Sequence, residues 1–144
     1  MAGTILLVED SPEAVELTRN ALEECSLAGN SVTVAYDGQD AIDYLFGTGR
    51  YKGRNTADLP KVVLLDLRLP KLDGFEVLAK IRSDSLTRLV PVVILTVSKL
   101  KEDIRRSYEL GANSYLIKVL DYDEYQNTIN AACAYWLGIN QRAY

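Results

Sequence analysis

Five polar side chains suited to metal or phosphoryl chemistry each follow a short apolar segment. Glu9 and Asp10 come after "TILLV", Asp66 after "KVVLL", Thr96 after "PVVIL" and Lys118 after "SYLI". Three carboxylates that lie close together repel one another unless a cation sits among them. Oxygen ligands select a hard divalent ion, and a site of a few carboxylates and water suits Mg²⁺. The group therefore predicts a site for Mg²⁺, or for another divalent cation such as Mn²⁺.

The same residues also fit phosphoryl transfer, which depends mostly on positioning and charge neutralisation. Aspartate is an established phosphoryl nucleophile, Lys118 would neutralise the charge of the group, and Thr96 would donate a hydrogen bond to it. Taken singly, Asp10 could be a helix cap and Glu9 a solvated turn residue. Their coincidence with three further polar residues at strand ends favours one common site.

The apolar pattern predicts that short strands and helices alternate along the chain. Runs rich in Val and Ile are typical of strands buried on both faces of a parallel sheet. The predicted strands are Thr4–Val8, Ser31–Tyr36, Lys61–Leu65, Pro91–Leu95 and Ser114–Ile117. Cap residues and periodicity predict helices over Pro12–Ser26, Gly38–Phe46, from the Asp73–Glu76 capping box, over Lys99–Leu110, and from the Asp121–Glu124 capping box to about Leu137.

Five strand–helix units in sequence predict an α/β fold. Strand–helix–strand crossovers are right-handed almost without exception, and they give a doubly wound parallel sheet with helices on both faces. The 144 residues fit a single domain, 1–144, with its core over about residues 4–137. Ligands of such sheets bind at the carboxyl ends of the strands, where the five polar residues fall. The segment 47–60 is predicted to be a long exposed loop.

Composition excludes several classes of protein. The net charge of -4 and the lack of a basic tail argue against a nucleic-acid partner. No apolar run is long enough to span a membrane and no signal peptide is recognisable, so we expect no membrane partner and a cytoplasmic location. The absence of histidine rules out histidine-based catalysis. Cys25 and Cys133 match no metal or redox spacing and are expected to be two separate, small hydrophobes, buried or half-buried.

Four segments resemble the receiver domain of two-component response regulators. They are "VED" at 8–10, "LLDLRLPKLDG" at 64–74, "ILT" at 94–96 and "YLIK" at 115–118, and the resemblance extends over about Thr4 to Leu137. It implies a flavodoxin-like (βα)5 fold with strand order 2-1-3-4-5. It also implies that a sensor histidine kinase supplies a phosphoryl group, and the missing histidines fit a donor imidazole on the partner. No output domain is expected after the last helix.

The resemblance also assigns roles to the residues of the site. Asp66 would be the phosphoacceptor, and Glu9, Asp10 and the backbone carbonyl of Arg68 would hold the metal with it. Thr96 and Lys118 would bind the phosphoryl group. Tyr115 would be the switch aromatic that turns inward as Thr96 moves, although it could simply be a packing residue at the edge of the sheet.

A narrower similarity is to the single-domain regulators that pair with phytochrome kinases of cyanobacteria and other bacteria. Those regulators share a long loop before the third strand, a "TxS" segment like Thr96–Ser98, and a tryptophan near the end of the last helix, here Trp136. This similarity implies a phytochrome-like kinase as the partner.

Three residues depart from the receiver pattern. Val119 follows the lysine where proline is usual, so this peptide bond is expected to be trans. Val97 is bulky at a position that gates the acceptor, and Arg68 places a long cation beside it. These departures are the best support for the alternative of a pseudo-receiver, a scaffold that binds partners without phosphorylation. Against that alternative, all five site residues remain. A haloacid-dehalogenase-like phosphatase would need a second acidic residue two positions after the nucleophile, where this chain has Arg68. We therefore expect that the protein is not an enzyme that turns over an external substrate.

The last predicted helix is rich in aromatic residues. Tyr125, Ile129, Ala132 and Trp136 share one face, which is either core or interface, whereas Tyr122 and Tyr135 lie off it. Large aromatic side chains are enriched at protein interfaces. We therefore expect a symmetric homodimer through the fourth and fifth helices and the fifth strand, with Tyr122, Tyr125 and Trp136 in the interface.

Overall fold

The computed structural model describes residues 3–25 and 29–144. Strands and helices alternate along the chain, as predicted. The strands are β1 (Thr4–Val8), β2 (Ser31–Ala35), β3 (Val62–Leu65), β4 (Val92–Thr96) and β5 (Ser114–Ile117). The helices are α1 (Pro12–Cys25), α2 (Gly38–Phe46), α3 (Gly74–Ser83), α4 (Lys101–Glu109) and α5 (Tyr122–Cys133).

The strands form one parallel sheet in the order β2-β1-β3-β4-β5, which confirms the predicted fold class. Successive side chains of a strand point to opposite faces, so Leu6 and Val8 of β1 enter one core cluster and Ile5 and Leu7 enter the other. Side chains of α2 and α3 complete the first cluster, and side chains of α1 and α5 complete the second. The sheet is therefore covered on both faces.

Most predicted boundaries agree with the structure to within two residues. The Asp73–Glu76 capping box of α3 is complete, since each side chain accepts a hydrogen bond from the backbone of the other residue. The strand β4 begins at Val92 and includes Thr96, so this residue ends the strand instead of following it. The predicted end of α1 at Ser26 lies outside the described residues. After α5 the chain continues in a π-helical turn over Ala134–Ile139.

The buried face of α1 includes a polar residue. Leu17 is 38% exposed, whereas Thr18 is buried. The hydroxyl of Thr18 lies 2.6 Å from the hydroxyl of Tyr125 on α5. Because buried hydroxyl groups need hydrogen-bond partners, this pair selects the rotation of α1.

The two cysteines are joined, which corrects the expectation of two separate hydrophobes. Cys25 ends α1 and Cys133 ends α5, and the structure pairs them in a disulfide with 6.4 Å between their Cα atoms. The two helices pack side by side on the same face of the sheet, so their last turns meet. Because 108 residues separate the two cysteines in the sequence, no local pattern indicated this contact.

The segment 47–60 is anchored to α2. It contains a 3₁₀ turn over Gly49–Tyr51. The Arg54 guanidinium lies 3.9 Å from the centre of the Tyr44 ring and donates a hydrogen bond to the Tyr44 carbonyl. Arg50 pairs with Asp40 at 2.8 Å. Among the helices of the described residues, none has the length and apolar character needed to cross a membrane.

Candidate functional site

Three carboxylates converge at the carboxyl edge of the sheet. One oxygen from each of Glu9, Asp10 and Asp66 lies within 4.8 Å of the others. Their proximity follows from the sheet, since β1 and β3 are paired neighbours with Val8 opposite Leu65. The next residue of each strand therefore leaves the sheet at the same level, as the sequence predicted.

Lys118 reaches this group from the end of β5. Its Nζ atom lies 3.2 Å from Oδ2 of Asp66 and also contacts Oε1 of Glu9. Burial lowers the pKa of Lys118 to about 8, while the two carboxylates that it touches act in the opposite direction. The structure thus brings an ammonium group against two of the three acids.

The Asp66 carboxylate is held by its own loop. Its Oδ1 atom accepts hydrogen bonds from the backbone amides of Leu67 at 2.7 Å and Arg68 at 3.4 Å. Burial raises the pKa of Asp66 above its usual value; the Thr96 hydroxyl and the two amides oppose this shift, and the negative charge of Asp10 adds to it. The contacts within the protein therefore do not fully stabilise the negative charge of ionised Asp66, and this favours a bound cation.

The donor set fits a hard divalent cation. The three acids offer only oxygen, and Asp10 is exposed while Glu9 is buried, so the group is open on one side. One oxygen of Glu9 accepts a hydrogen bond from the Ser11 amide at 3.2 Å, which orients the carboxylate. Glu9, Asp10 and Asp66 would hold the ion. The role of the Arg68 carbonyl as a further ligand stays a prediction.

Gly74 lets α3 start directly against the loop that carries Asp66. A Cβ atom on Gly74 would lie 2.2 Å from the carbonyl oxygen of Asp66 and 2.7 Å from Cα of Leu67. Real side-chain atoms do not approach backbone this closely, so any larger residue here must displace the segment that carries Asp66.

Thr96 ends β4 beside Asp66, and Tyr115 lies on the adjacent strand β5. Thr96 is fully buried, and Tyr115 is half-buried against the core cluster that includes α3. The Tyr115 hydroxyl donates a hydrogen bond to the Ser98 carbonyl at 3.0 Å. Tyr115 is therefore tied to the turn that follows Thr96; its role as a switch stays a prediction.

Sequence reasoning missed a second polar cluster next to this site. The Asp103 carboxylate of α4 accepts hydrogen bonds from the Arg68 guanidinium at 2.8 Å and the Ser98 hydroxyl at 2.6 Å. In the sequence, Asp103 looks like an ordinary acid in the first turn of a helix. Its partner Arg68 is 35 residues away, and no local pattern connects them.

The predicted interface residues have different environments. Tyr125 is 2% exposed and pairs with Thr18, so its assignment to a dimer interface is wrong. Tyr122 is half exposed, and Trp136 is half-buried with its ring nearly perpendicular to that of Tyr135. Tyr125 belongs to the core because its hydroxyl is hydrogen-bonded to the buried Thr18 hydroxyl. Tyr122 and Trp136 lie further out and stay available to a partner protein.

The residues that depart from the receiver pattern lie at the rim of the site. Val97 is 67% exposed, so its side chain does not fill the core. The peptide bond between Lys118 and Val119 is trans, as predicted, since the described residues contain no cis peptide bond.

The chain thus forms an open parallel sheet with three acids at its carboxyl edge, Glu9, Asp10 and Asp66, which are called the acidic trio below. Lys118 contacts Asp66 within this group. The family model of the response regulator receiver domain matches residues 5–130. The chain belongs to this family.

Two curated relatives match nearly the whole chain. A probable methanogenesis regulatory protein, FilR2 of Methanothrix harundinacea, is 42% identical over 95% of this chain and 85% of its own length. The response regulator Rcp1 of Synechocystis sp. is 35% identical over 92% of this chain and 88% of its own length.

Solved structures agree with the fold. The phosphorylated cyanobacterial phytochrome response regulator RcpA superposes with a TM-score of 0.91 at 34% identity, over 100% of both chains. The Mn²⁺-bound form of Rcp1 superposes with a TM-score of 0.89 at 34% identity, over 99% of both chains. The chain is thus similar in sequence and structure to regulators associated with phytochromes.

Proposed function

We propose that this protein is a signalling switch of a cytoplasmic two-component phosphorelay. Asp66 accepts a phosphoryl group from a sensor histidine kinase. The observation that carries this proposal is the convergence of Glu9 and Asp10 on Asp66, with the Lys118 ammonium 3.2 Å from the acceptor carboxylate. A pair of acids, an acceptor and a buried cation are the parts that phosphoryl transfer to a carboxylate requires.

The chemistry is an exchange of one bond at phosphorus. A carboxylate oxygen of Asp66 attacks the phosphorus of a phosphohistidine, a P–O bond forms, and the P–N bond breaks as the imidazole leaves. Lys118 neutralises charge on the transferred group, and the Thr96 hydroxyl donates a hydrogen bond to it. Water later attacks the phosphorus, which releases inorganic phosphate and restores the carboxylate. The protein promotes both steps on itself and turns over no external substrate.

Mg²⁺ is the cation that we assign to the acidic trio. Bound there, it would neutralise the carboxylates and the oxygens of the incoming phosphoryl group. Oxygen-only donors with room for water suit Mg²⁺. The Mn²⁺-bound form of Rcp1 supports the proposal, since it is a similar protein that binds a divalent ion.

A phytochrome-like histidine kinase is the proposed partner. Support comes from the similarity to RcpA and Rcp1 over almost the entire chain. The proposal is tested by comparing phosphoryl transfer from a phytochrome kinase with transfer from an unrelated histidine kinase. Equal rates from both would overturn the assignment of the partner and leave the switch intact.

The central experiment measures an adduct on Asp66. The protein is incubated with Mg²⁺ and a phosphorylated kinase or acetyl phosphate, and its intact mass is determined. We expect one phosphoryl adduct that hydroxylamine or base removes, and no adduct on Asp66→Asn. An unmodified wild-type chain with a competent kinase would instead support the scaffold alternative, for which Arg68, Val97 and Val119 are the motivating residues.

We also propose a homodimer through α4, β5 and α5. Tyr135 and Trp136 line an open groove between β5 and α5 together with Leu116, and Tyr122 is exposed on the same helix. Tyr125 is not part of this surface. Light scattering should give the mass of two chains for the wild type and of one chain for Tyr122→Ala with Trp136→Ala. A single-chain mass for the wild type, with and without phosphorylation, would rule the dimer out.

A further inference from the structure

The Asp103 carboxylate lies near the phosphorylation site without belonging to the metal-binding group. Its side chain is only 11% exposed, and one oxygen, Oδ2, accepts hydrogen bonds from both Arg68 and Ser98. Buried aspartates are rare unless they are paired. The pairing with Arg68 joins the loop after β3 to the first turn of α4.

Arg68 touches both the acceptor and α4. Its backbone amide lies 3.4 Å from Oδ1 of Asp66, whereas its guanidinium lies 2.8 Å from Asp103. The Arg68 side chain is 59% exposed. It can therefore rotate toward another acceptor without disturbing the core.

The same carboxylate fixes the turn between β4 and α4. The Ser98 hydroxyl donates to Asp103, and it accepts a hydrogen bond from the Leu100 amide at 3.3 Å. The Ser98 carbonyl in turn accepts from the Tyr115 hydroxyl at 3.0 Å. A chain of direct contacts thus runs from Arg68 through Asp103 and Ser98 to Tyr115.

We propose that Asp103 is a positioning residue that holds the Arg68 guanidinium away from the acceptor, and that phosphorylation of Asp66 makes Arg68 exchange Asp103 for the phosphoryl oxygens. This inference rests on the proposed phosphorylation of Asp66. An aspartyl phosphate two residues from Arg68 offers more negative charge than one carboxylate, and its paired oxygens match the planar guanidinium. The exchange forms and breaks only hydrogen bonds and ion pairs.

The exchange has two consequences. A guanidinium over the phosphoryl group covers the side from which water must attack, so it slows hydrolysis. Asp103 competes for that guanidinium and therefore shortens the life of the phosphate. After Arg68 leaves, Ser98 is the side chain that still donates a hydrogen bond to Asp103. The turn that contains Ser98 and contacts the Tyr115 hydroxyl is then held less firmly.

The test is the half-life of the phosphorylated protein, measured by phosphate-affinity electrophoresis. Asp103→Asn keeps the shape of the side chain and removes its charge. We expect its half-life to be at least about threefold longer than that of the wild type, and Asp103→Glu to restore the wild-type half-life. Glu109→Gln is the matched control, since it removes a negative charge from the same helix at a residue paired with Arg105 and not with Arg68. This control should leave the half-life unchanged.

A double-mutant cycle separates positioning from a general effect on the fold. In an Arg68→Gln background, Asp103→Asn should leave the half-life unchanged, because no guanidinium is present to be released. An equal lengthening in both backgrounds, or a half-life that is unchanged or shorter in Asp103→Asn alone, overturns the proposal. If the wild-type chain takes no phosphoryl group, the proposed function fails first, so the two failures are distinguishable.

A structure with beryllium trifluoride on Asp66 gives a second, independent readout. The Arg68 guanidinium should contact the fluorine atoms and should no longer lie within hydrogen-bond distance of Asp103. An intact ion pair between Arg68 and Asp103 in that complex overturns the exchange.

Discussion

The Lys118 ammonium lies 3.2 Å from Oδ2 of Asp66 and also contacts Oε1 of Glu9. One cation from β5 is therefore shared by acids that follow β1 and β3. The arrangement places positive charge against two of the three acids, and the divalent cation that we propose for Glu9, Asp10 and Asp66 would add to it.

Replacement of Lys118 by glutamine should slow phosphorylation of Asp66. A preorganised charge that stabilises a transition state is commonly worth a factor of about 100 to 1,000, so we expect a loss of that size in the rate with acetyl phosphate and Mg²⁺. Intact mass against time gives the rate. Lys99→Gln is the control, because Lys99 is exposed near the same rim. Equal rates for the Lys118 variant and the wild type would contradict the role of Lys118.

Replacement of Asp66 by asparagine should stabilise the metal-free protein. Burial and the charge of Asp10 raise the pKa of Asp66, so the folded state resists its ionisation. We expect a gain of about 1 kcal/mol in the free energy of unfolding, a usual size for removal of a destabilising group. Urea denaturation in EDTA measures it. Mg²⁺ should stabilise the wild type more than the variant, because the variant lacks one carboxylate ligand.

The pH dependence of this difference follows from the sign of the shift. A carboxyl group whose pKa is raised on folding binds its proton more tightly in the folded state. The wild type therefore gains stability as the pH falls from above the folded pKa toward the unfolded value of about 3.9. The advantage of Asp66→Asn should be largest near pH 7 and should shrink on acidification through that window. An advantage that grows as the pH falls would contradict the raised pKa.

Replacement of Gly74 by alanine should weaken metal binding as well as stability. The added Cβ would lie 2.2 Å from the Asp66 carbonyl oxygen, so α3 and the loop that carries Asp66 must separate. We expect a loss of about 2 kcal/mol or more in unfolding free energy, as for other overpacked sites, together with a lower affinity for Mg²⁺. Titration calorimetry and urea denaturation measure the two effects.

Gly53→Ala is the control for the Gly74 variant. Its added Cβ meets no atom within 4 Å, although Gly53 has a positive φ of 93°. It should lose some stability through backbone strain and keep the affinity for Mg²⁺. Unchanged Mg²⁺ affinity in Gly74→Ala would show that displacement of the loop that carries Asp66 does not affect metal binding.

The fold and the main site could be predicted because local patterns specify both. Val62–Leu65 is apolar throughout, which is typical of a strand buried on both faces, and the polar residue that follows it must lie at the edge of the sheet. The same rule, applied to each strand, places Glu9, Asp10, Asp66 and Lys118 together at one edge of the sheet. The resemblance to receivers then supplied the strand order.

Contacts between distant residues could not be predicted in this way. The rotation of α1 depends on the Thr18–Tyr125 pair, which joins residues 107 apart in sequence. The Arg68–Asp103 ion pair likewise depends on how the loop after β3 lies against α4. Each of these residues has an ordinary local explanation, as a helix position or a surface charge. Only the packing of the finished fold selects the pair.

The Cys25–Cys133 disulfide gives the last prediction, because it closes a loop of 108 residues between α1 and α5. A cross-link stabilises a fold mainly by restricting the unfolded chain, and a loop of about 100 residues corresponds to about 4.7 kcal/mol in the chain-entropy model. Cys133→Ser, or treatment of the wild type with dithiothreitol, should therefore lower the unfolding free energy by several kcal/mol. Urea denaturation with and without reductant measures the effect, and free-thiol titration reports the state of the pair. The double variant Cys25→Ser with Cys133→Ser should be insensitive to reductant. Equal stability of oxidised and reduced wild type would show that the paired sulfurs contribute packing alone.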